Sequence, residues 1–336
     1  MIRLFGRIRP VMLTLAAAFA LCLPAQERPR DSYVVTLPAP ANAPPASDPV
    51  WNRLPGTDSP ATVRALRQGL MWKASSATNT VYLLGSIHLA SSDMYPLPQH
   101  IEDAFRTSAL LVVEVDLNKV DQRKLQAMVA ARGLYPPDDS LWNHISPDTK
   151  DLVHRFCTEN SLAPEAFARL KPWLAAITAS MLHVQKTGMR MELGMDRYFL
   201  EQAKGAMQVE QLESAEWQLR LLSNIAEMQQ ERYLAASLSS ASANGQMATA
   251  LQAAWLSGDG EKLAALISTE MRDSAEVGKK VFADRNPHMA DVVEQCLKSG
   301  TQSFVVVGAG HLVGKDGVVR LLQKRGFHVE QVLSPN

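Results

Sequence analysis

Cysteine is scarce. The chain has 336 residues and three cysteines, Cys22, Cys157 and Cys296, and no C-x-x-C pair, so the usual redox and zinc spacings are excluded. Neither sign of charge is in excess. Lys+Arg and Asp+Glu number 34 each, which gives a formal net charge of zero. A nucleic-acid partner normally needs a basic face, so none is expected. Long apolar runs are missing too. The stretch Val11 to Leu23 falls short of the about 20 residues a membrane span needs, so no stable transmembrane anchor is expected. H-E-x-x-H is absent, which excludes a standard helical zincin, and G-x-S-x-G, the P-loop and G-x-G-x-x-G are absent as well.

What is present begins with an export signal. Arg3, Arg7 and Arg9 precede the apolar stretch, and Ala25 supplies a small residue before a cut, so residues 1–25 read as a signal peptide. That implies a periplasmic or secreted protein; the alternative is an uncleaved anchor. Leu21 before Cys22 argues against lipid attachment. Residues 26–62 are rich in proline ("LPAPANAPPASDP") and read as a disordered leader. The folded domain is expected over 63–335. An exported compartment would permit a disulfide between Cys157 and Cys296, and two buried free thiols fit their apolar helical contexts as well.

The chain says one phrase twice. Residues 81–89 read "VYLLGSIHL" and residues 304–312 read "FVVVGAGHL", each an apolar run followed by Gly-x-x-His-Leu. "TVYLLGSIHL" reads as a strand, "PLPQHIEDAFRTSA" as a helix, and "LLVVEVDL" as a second, buried strand. "QSFVVVGAGHL", "GKDGVVRLLQKRG" and "FHVEQVL" repeat the plan, with Gly326 closing the helix. Between the two units lie helical spacings over 120–132, 147–158, 163–186, 194–205, 215–238, 245–257, 260–272 and 274–299. Ser146 and Pro147 mark one helix start, and "MQVEQLES" is a short strand-like interruption. The expected fold class is α+β: a small central sheet built from two strand–GxxH–helix–strand units, with a large helical insert.

Five side chains could carry chemistry. His88 and His311 each follow a buried strand three residues after a glycine. Ligands bind at the carboxyl ends of such strands, the glycine is expected to let the chain turn sharply, and neutral imidazole is a common metal ligand. One such histidine alone would read as a core residue; two matched units point to a shared site. Glu114 in "VVEVD" sits in an apolar strand, where a carboxylate must be paired or bind a cation. Asp116 shares its face and reads as a strand-end charge. Glu213 is a second carboxylate, either ligand or base, or else a helix N-terminal charge. Arg285 in "ADRNPHMA" is a salt-bridge partner or a group that polarises a carbonyl.

Together "GSIH", "GAGH", "VVEVD", "LES" and "DRNPHMA" resemble the TraB/GumN family, over about residues 65–334. That family includes the Tiki-type metalloproteases and belongs with erythromycin-esterase-like and haem-binding ChaN-like proteins. The resemblance, closest to the exported GumN-like branch, implies a metal-dependent hydrolase site with His88, Glu114 and His311 on the metal and Arg285 beside them; Glu213 matches less securely. It favours manganese or cobalt, with zinc or iron as alternatives. No carboxy-terminal apolar helix follows, so anchoring in the manner of animal Tiki proteins is not expected.

The resulting expectation is an exported metal-dependent hydrolase acting on a peptide or protein substrate through a metal-activated water. Glu213 or another carboxylate off the metal would take the proton, and Arg285 would steady the oxyanion. The rival reading is a non-catalytic haem-, metal- or ligand-binding protein of the periplasm. A carboxylate beside the histidines favours hydrolysis, since haem asks for an axial ligand and an apolar slot.

Overall fold

The computed structural model describes residues 67–238 and 241–334. The expected signal peptide and proline-rich leader lie outside the described residues.

The fold is α+β. Its strands are β1 (Met71–Ser75), β2 (Thr80–Ser86), β3 (Leu110–Val113), β4 (Gln208–Gln211), β5 (Ser303–Gly308) and β6 (His328–Val332). Among the described residues they form one mixed sheet in the order β4-β3-β5-β2-β1-β6. β4, β3, β5 and β2 run parallel, and β1 is antiparallel to both β2 and β6. β5 is buried along its whole length, as a near-continuous Val run inside a parallel sheet should be. β1 was not anticipated. Its sequence "MWKAS" has no β-branched residue, and it is held as a strand by pairing with β2 on one side and β6 on the other.

α1 (Gln99–Arg106) crosses from β2 to β3 and buries Ile101, Ala104 and Phe105. The insert then runs through α2 (Gln122–Gly133), α3 (Pro147–Glu159), α4 (Glu165–Ala168), α5 (Pro172–Gln185) and α6 (Met195–Ala203). After β4 come α7 (Ala215–Ser223), α8 (Glu227–Leu238), α9 (Ala241–Leu256), α10 (Gly260–Met271), α11 (Ala275–Gly278) and α12 (Asn286–Ser299). The short α13 (Ala309–Leu312) follows β5, and α14 (Val318–Lys324) leads to β6. Ser146 caps α3 by accepting from the Thr149 N–H at 3.3 Å, with Pro147 in the first turn.

Three long helical expectations are broken. The one over 163–186 splits at Pro172, which starts α5. The one over 215–238 splits at Asn224, which closes α7. The one over 274–299 passes through a π-helical turn at Lys279–Ala283 and restarts at Arg285, the residue before α12. Helical periodicity survives each break, which is why spacing alone runs across it.

Two cores result. One packs on the sheet and includes Phe105, Phe199, Trp255 and Phe304. The other lies within the insert and includes Phe156, Phe167, Trp173 and Tyr233. Cys296 belongs to the first and Cys157 to the second, and both are free, so the permitted disulfide is not formed. Among the described residues no helix is long and apolar enough to cross a membrane.

Candidate functional site

The parallel strands end together, and their ends supply the site in sheet order. β2 and β5 are direct neighbours, with Gly85 opposite Val307 and Ser86 opposite Gly308, so both Gly-x-x-His phrases leave the sheet side by side. β3 pairs with β5 through Val113 and Val306. The Glu114 N–H continues that ladder to Val306 O at 3.1 Å, and the Glu213 N–H donates to Glu114 O at 3.0 Å. Crossing the sheet therefore meets Glu213, Glu114, His311 and His88. Glu114 is one residue beyond β3, at the strand's end and not deep within it.

The expected sharp glycine turn is not what the glycines provide. Gly85 lies outside the positive-φ residues, and Gly308 has φ −49°. A Cβ on Gly85 would instead stand 3.0 Å from the Cα of Ala309, so glycine is what lets the second phrase lie against the first. Gly194 plays a similar part at the start of α6, because a Cβ there would collide with the His88 carbonyl. That close approach delivers Asp196 to the His88 ring.

Arg285 is the hub of the cluster. Its Nη2 donates to Glu114 Oε1 at 2.5 Å and to Glu213 Oε2 at 2.6 Å, while Nε donates to Glu213 Oε1 at 2.9 Å. Nη1 donates to Val281 O, within the π-helical turn, at 2.9 Å. Gln218 ties the two carboxylates from the other side, at 2.8 Å to Glu114 Oε1 and 3.1 Å to Glu213 Oε2. All three charged groups are buried. Burial opposes the Glu114 charge, but Arg285 leads the groups that hold its carboxyl well below the usual range. Burial opposes the guanidinium charge too, and Glu114 and Glu213 outweigh it and keep Arg285 above its ordinary value.

The second Glu114 oxygen faces the histidines. Oε2 accepts from the Gly308 N–H at 3.1 Å. It lies 4.0 Å from His88 Nε2 and 3.9 Å from His311 Nε2, too far for a direct hydrogen bond. Both Nε2 atoms are buried without a hydrogen-bond partner. Each ring is held by its other nitrogen: His88 Nδ1 to Asp196 Oδ2 at 2.5 Å, and His311 Nδ1 to Asn286 Oδ1 at 2.7 Å. Asn286 spends its Nδ2 on Asp316 O, so its oxygen faces the imidazole and Nδ1 carries the His311 proton. Ser86 donates to the other Asp196 oxygen at 3.1 Å.

Burial, and after it Arg285, push His311 down to about 3, so this ring is neutral with its Nε2 lone pair directed inward. Burial also works against charge on His88, but Asp196 outweighs it and raises that ring above 6.5.

His88, Glu114, Glu213, Arg285 and His311 are thus gathered at one place. Asp116 is not part of it; it pairs with Lys119 at 3.1 Å and caps the Asn118 N–H. Asp196, Asn286 and Gln218 were missed by sequence reasoning. The first two sit in the opening turns of helices, where acids and amides are ordinary, and Gln218 lies inside a helix. As the side chains stand, no three His, Cys, Asp or Glu residues among those described form a metal-holding group. The donor set is nevertheless suited to a cation, because two buried imidazole nitrogens without hydrogen-bond partners and a carboxylate oxygen face each other.

The chain belongs to the TraB/PrgY/gumN family, whose pattern it matches over residues 70–331. It is also similar to the protein printed as "Uncharacterized protein YbaP" from Escherichia coli strain K12 and from Shigella flexneri, at 30% identity over 142 residues in each case. That match covers 42% of this chain and 51% of each relative, so the chain spans about half the length of the curated relatives it matches. No solved structure matches the chain.

Proposed function

We propose that the protein is a metal-dependent hydrolase of peptide bonds, directed out of the cytoplasm by residues 1–25. The observation that carries the reading is the pair of buried, unpartnered Nε2 atoms facing Glu114 Oε2 from the two Gly-x-x-His phrases. His88, His311 and Glu114 would hold the cation. Such an ion supplies Lewis-acid activation of a water and of the substrate carbonyl.

The remaining residues prepare that site. Asp196 and Asn286 hold protons on Nδ1 of their histidines and so keep each Nε2 available. Arg285 and Gln218 fix Glu114 through Oε1, leaving Oε2 toward the histidines. Arg285 is spent on Glu213, Glu114 and Val281 O, which assigns it to positioning the carboxylates in preference to contacting an oxyanion. Glu213, engaged through both oxygens, anchors the guanidinium.

The test is elemental analysis of the purified protein after reconstitution with manganese, cobalt, zinc or iron, beside His88→Ala and His311→Ala. Near-stoichiometric metal in the wild type, lost in both variants with unchanged circular dichroism, is expected. Equal metal content in all three proteins would sink the site.

A further inference from the structure

We propose that the cavity beside His88 is a subsite for one bulky apolar side chain of a peptide, next to the bond that is cut. The proposal rests on the hydrolase reading and extends it to substrate choice. The cavity has about 60 Å³ of open space, several times the roughly 10–15 Å³ that one water needs, so it is sized for a single side chain and not for a whole ligand. It lies on the seam between the two cores. Leu251, Leu263 and Ile267 come from the sheet side, and Leu89, Ala248 and Phe282 from the helical side. His88 belongs both to the cavity wall and to the cluster around Glu114. A peptide held at that cluster therefore places a flanking side chain into the cavity.

The wall decides which side chain. It contains no Lys or Arg, and its one carboxylate is the buried Glu270. An Asp or Glu would lose its hydration there, and the wall offers no Lys or Arg to pair with it. A Gly or Ala would leave the apolar wall uncovered. Leu, Met or Phe cover it and gain the transfer energy of their apolar area.

The experiment uses the reconstituted full chain in two ways. A degenerate peptide mixture is digested, and the cleavage sites are read by mass spectrometry. In parallel, fluorescence polarisation compares a labelled octapeptide carrying Leu at its centre with one carrying Asp. Ala248→Phe fills the cavity and Leu251→Ala widens it, with metal content measured in each. The wild type should favour Leu, Met or Phe at one position beside the cut at least tenfold over Ala and Asp. Ala248→Phe should move that preference to Ala or Gly, and Leu251→Ala should move it toward Trp, with metal content unchanged. Cleavage without a side-chain preference, a preference for Lys or Arg, or a preference that both variants leave unmoved overturns the subsite and leaves the hydrolase reading standing. If no peptide is cut, tenfold tighter binding of the Leu peptide, abolished by Ala248→Phe, upholds the subsite and removes the hydrolase reading. Equal binding of the two peptides overturns the subsite.

Discussion

Arg285→Met removes one charge and leaves two carboxylates behind. Met keeps an unbranched apolar side chain, so the change is mainly electrostatic. Glu114 Oε1 and Glu213 Oε2 converge on the same guanidinium nitrogen, at 2.5 and 2.6 Å, and the Arg285 side chain is wholly buried. Breaking a buried pair by deleting one partner costs about 3–5 kcal/mol. At about 2–4 °C per kcal/mol for a domain of 150–250 residues, the melting temperature should fall by about 6–20 °C. The assay is thermal unfolding followed by circular dichroism at pH 7 in excess chelator, so that metal plays no part. The sign with pH is fixed as well. In the wild type the Glu114 carboxyl is depressed below 4.5, so its stabilisation is present above that value and is lost as pH falls through the folded value. In the variant Arg285 no longer offsets the burial of Glu114, so charge on that carboxylate carries a cost at pH 7 that is relieved on acidification. The variant's effect narrows the gap as pH falls from 7 toward 4, and the wild-type loss adds to it only below 4.5. Adding Glu114→Gln and Glu213→Gln should restore most of the loss at pH 7. A loss below about 1 kcal/mol, a gap that does not change with pH, or no rescue by the double Gln change would refute the electrostatic account of the cluster.

Asp196→Asn keeps the shape beside His88 but weakens the hold on its Nδ1 proton, so metal affinity measured by competition with a chelating dye should fall about 10–100-fold; an unchanged affinity would remove Asp196 from that part. Metal binding should also release one proton from His88, whose value lies above 6.5, and none from His311, which sits at about 3. Affinity should therefore rise about tenfold per pH unit below the His88 value and level off above it; a flat profile or a hundredfold slope across pH 5.5–8 contradicts this. Gly85→Ala presses a Cβ against Ala309 Cα at 3.0 Å and should cost about 1–3 kcal/mol in urea unfolding. Cys157, a buried thiol pushed up to about 11, should resist alkylation in the native protein, and both Cys157 and Cys296 should alkylate in denaturant without reductant.

Much of the site is legible because strand ends carry it. An apolar run fixes where a buried strand lies, and the residue beyond it must then stand at the sheet's edge. His88, Glu114, Glu213 and His311 all follow apolar or strand-like runs, so four of the five candidate residues announce themselves in this way. The supporting residues do not. Asp196 and Asn286 reach the histidines from helix starts 108 and 25 residues away, a proximity that no local pattern encodes. β1 is invisible for a related reason: its conformation is set by its two partners and not by its own residues. The helix breaks escape because an interrupted helix keeps the 3.6-residue spacing on either side.

The break before α12 connects these two levels. A continuous helix over 274–299 would satisfy every interior carbonyl within itself. The π-helical turn at Lys279–Ala283 instead lets Val281 O accept from Arg285, and the helix restarts with Arg285 facing two carboxylates and Asn286 facing His311. One local irregularity thus aims two adjacent side chains at three members of the cluster: Arg285 at Glu114 and Glu213, and Asn286 at His311. Single-turn π segments inside helices are frequent at functional sites, and this one has a stated task. The same geometry explains why both ends of the chain are needed. β2 and β5 can place their histidines side by side only as adjacent parallel strands, and parallel neighbours require a long connection. The insert between them is that connection, and it returns Asp196, Glu213 and Arg285 to the strand ends it was needed to join.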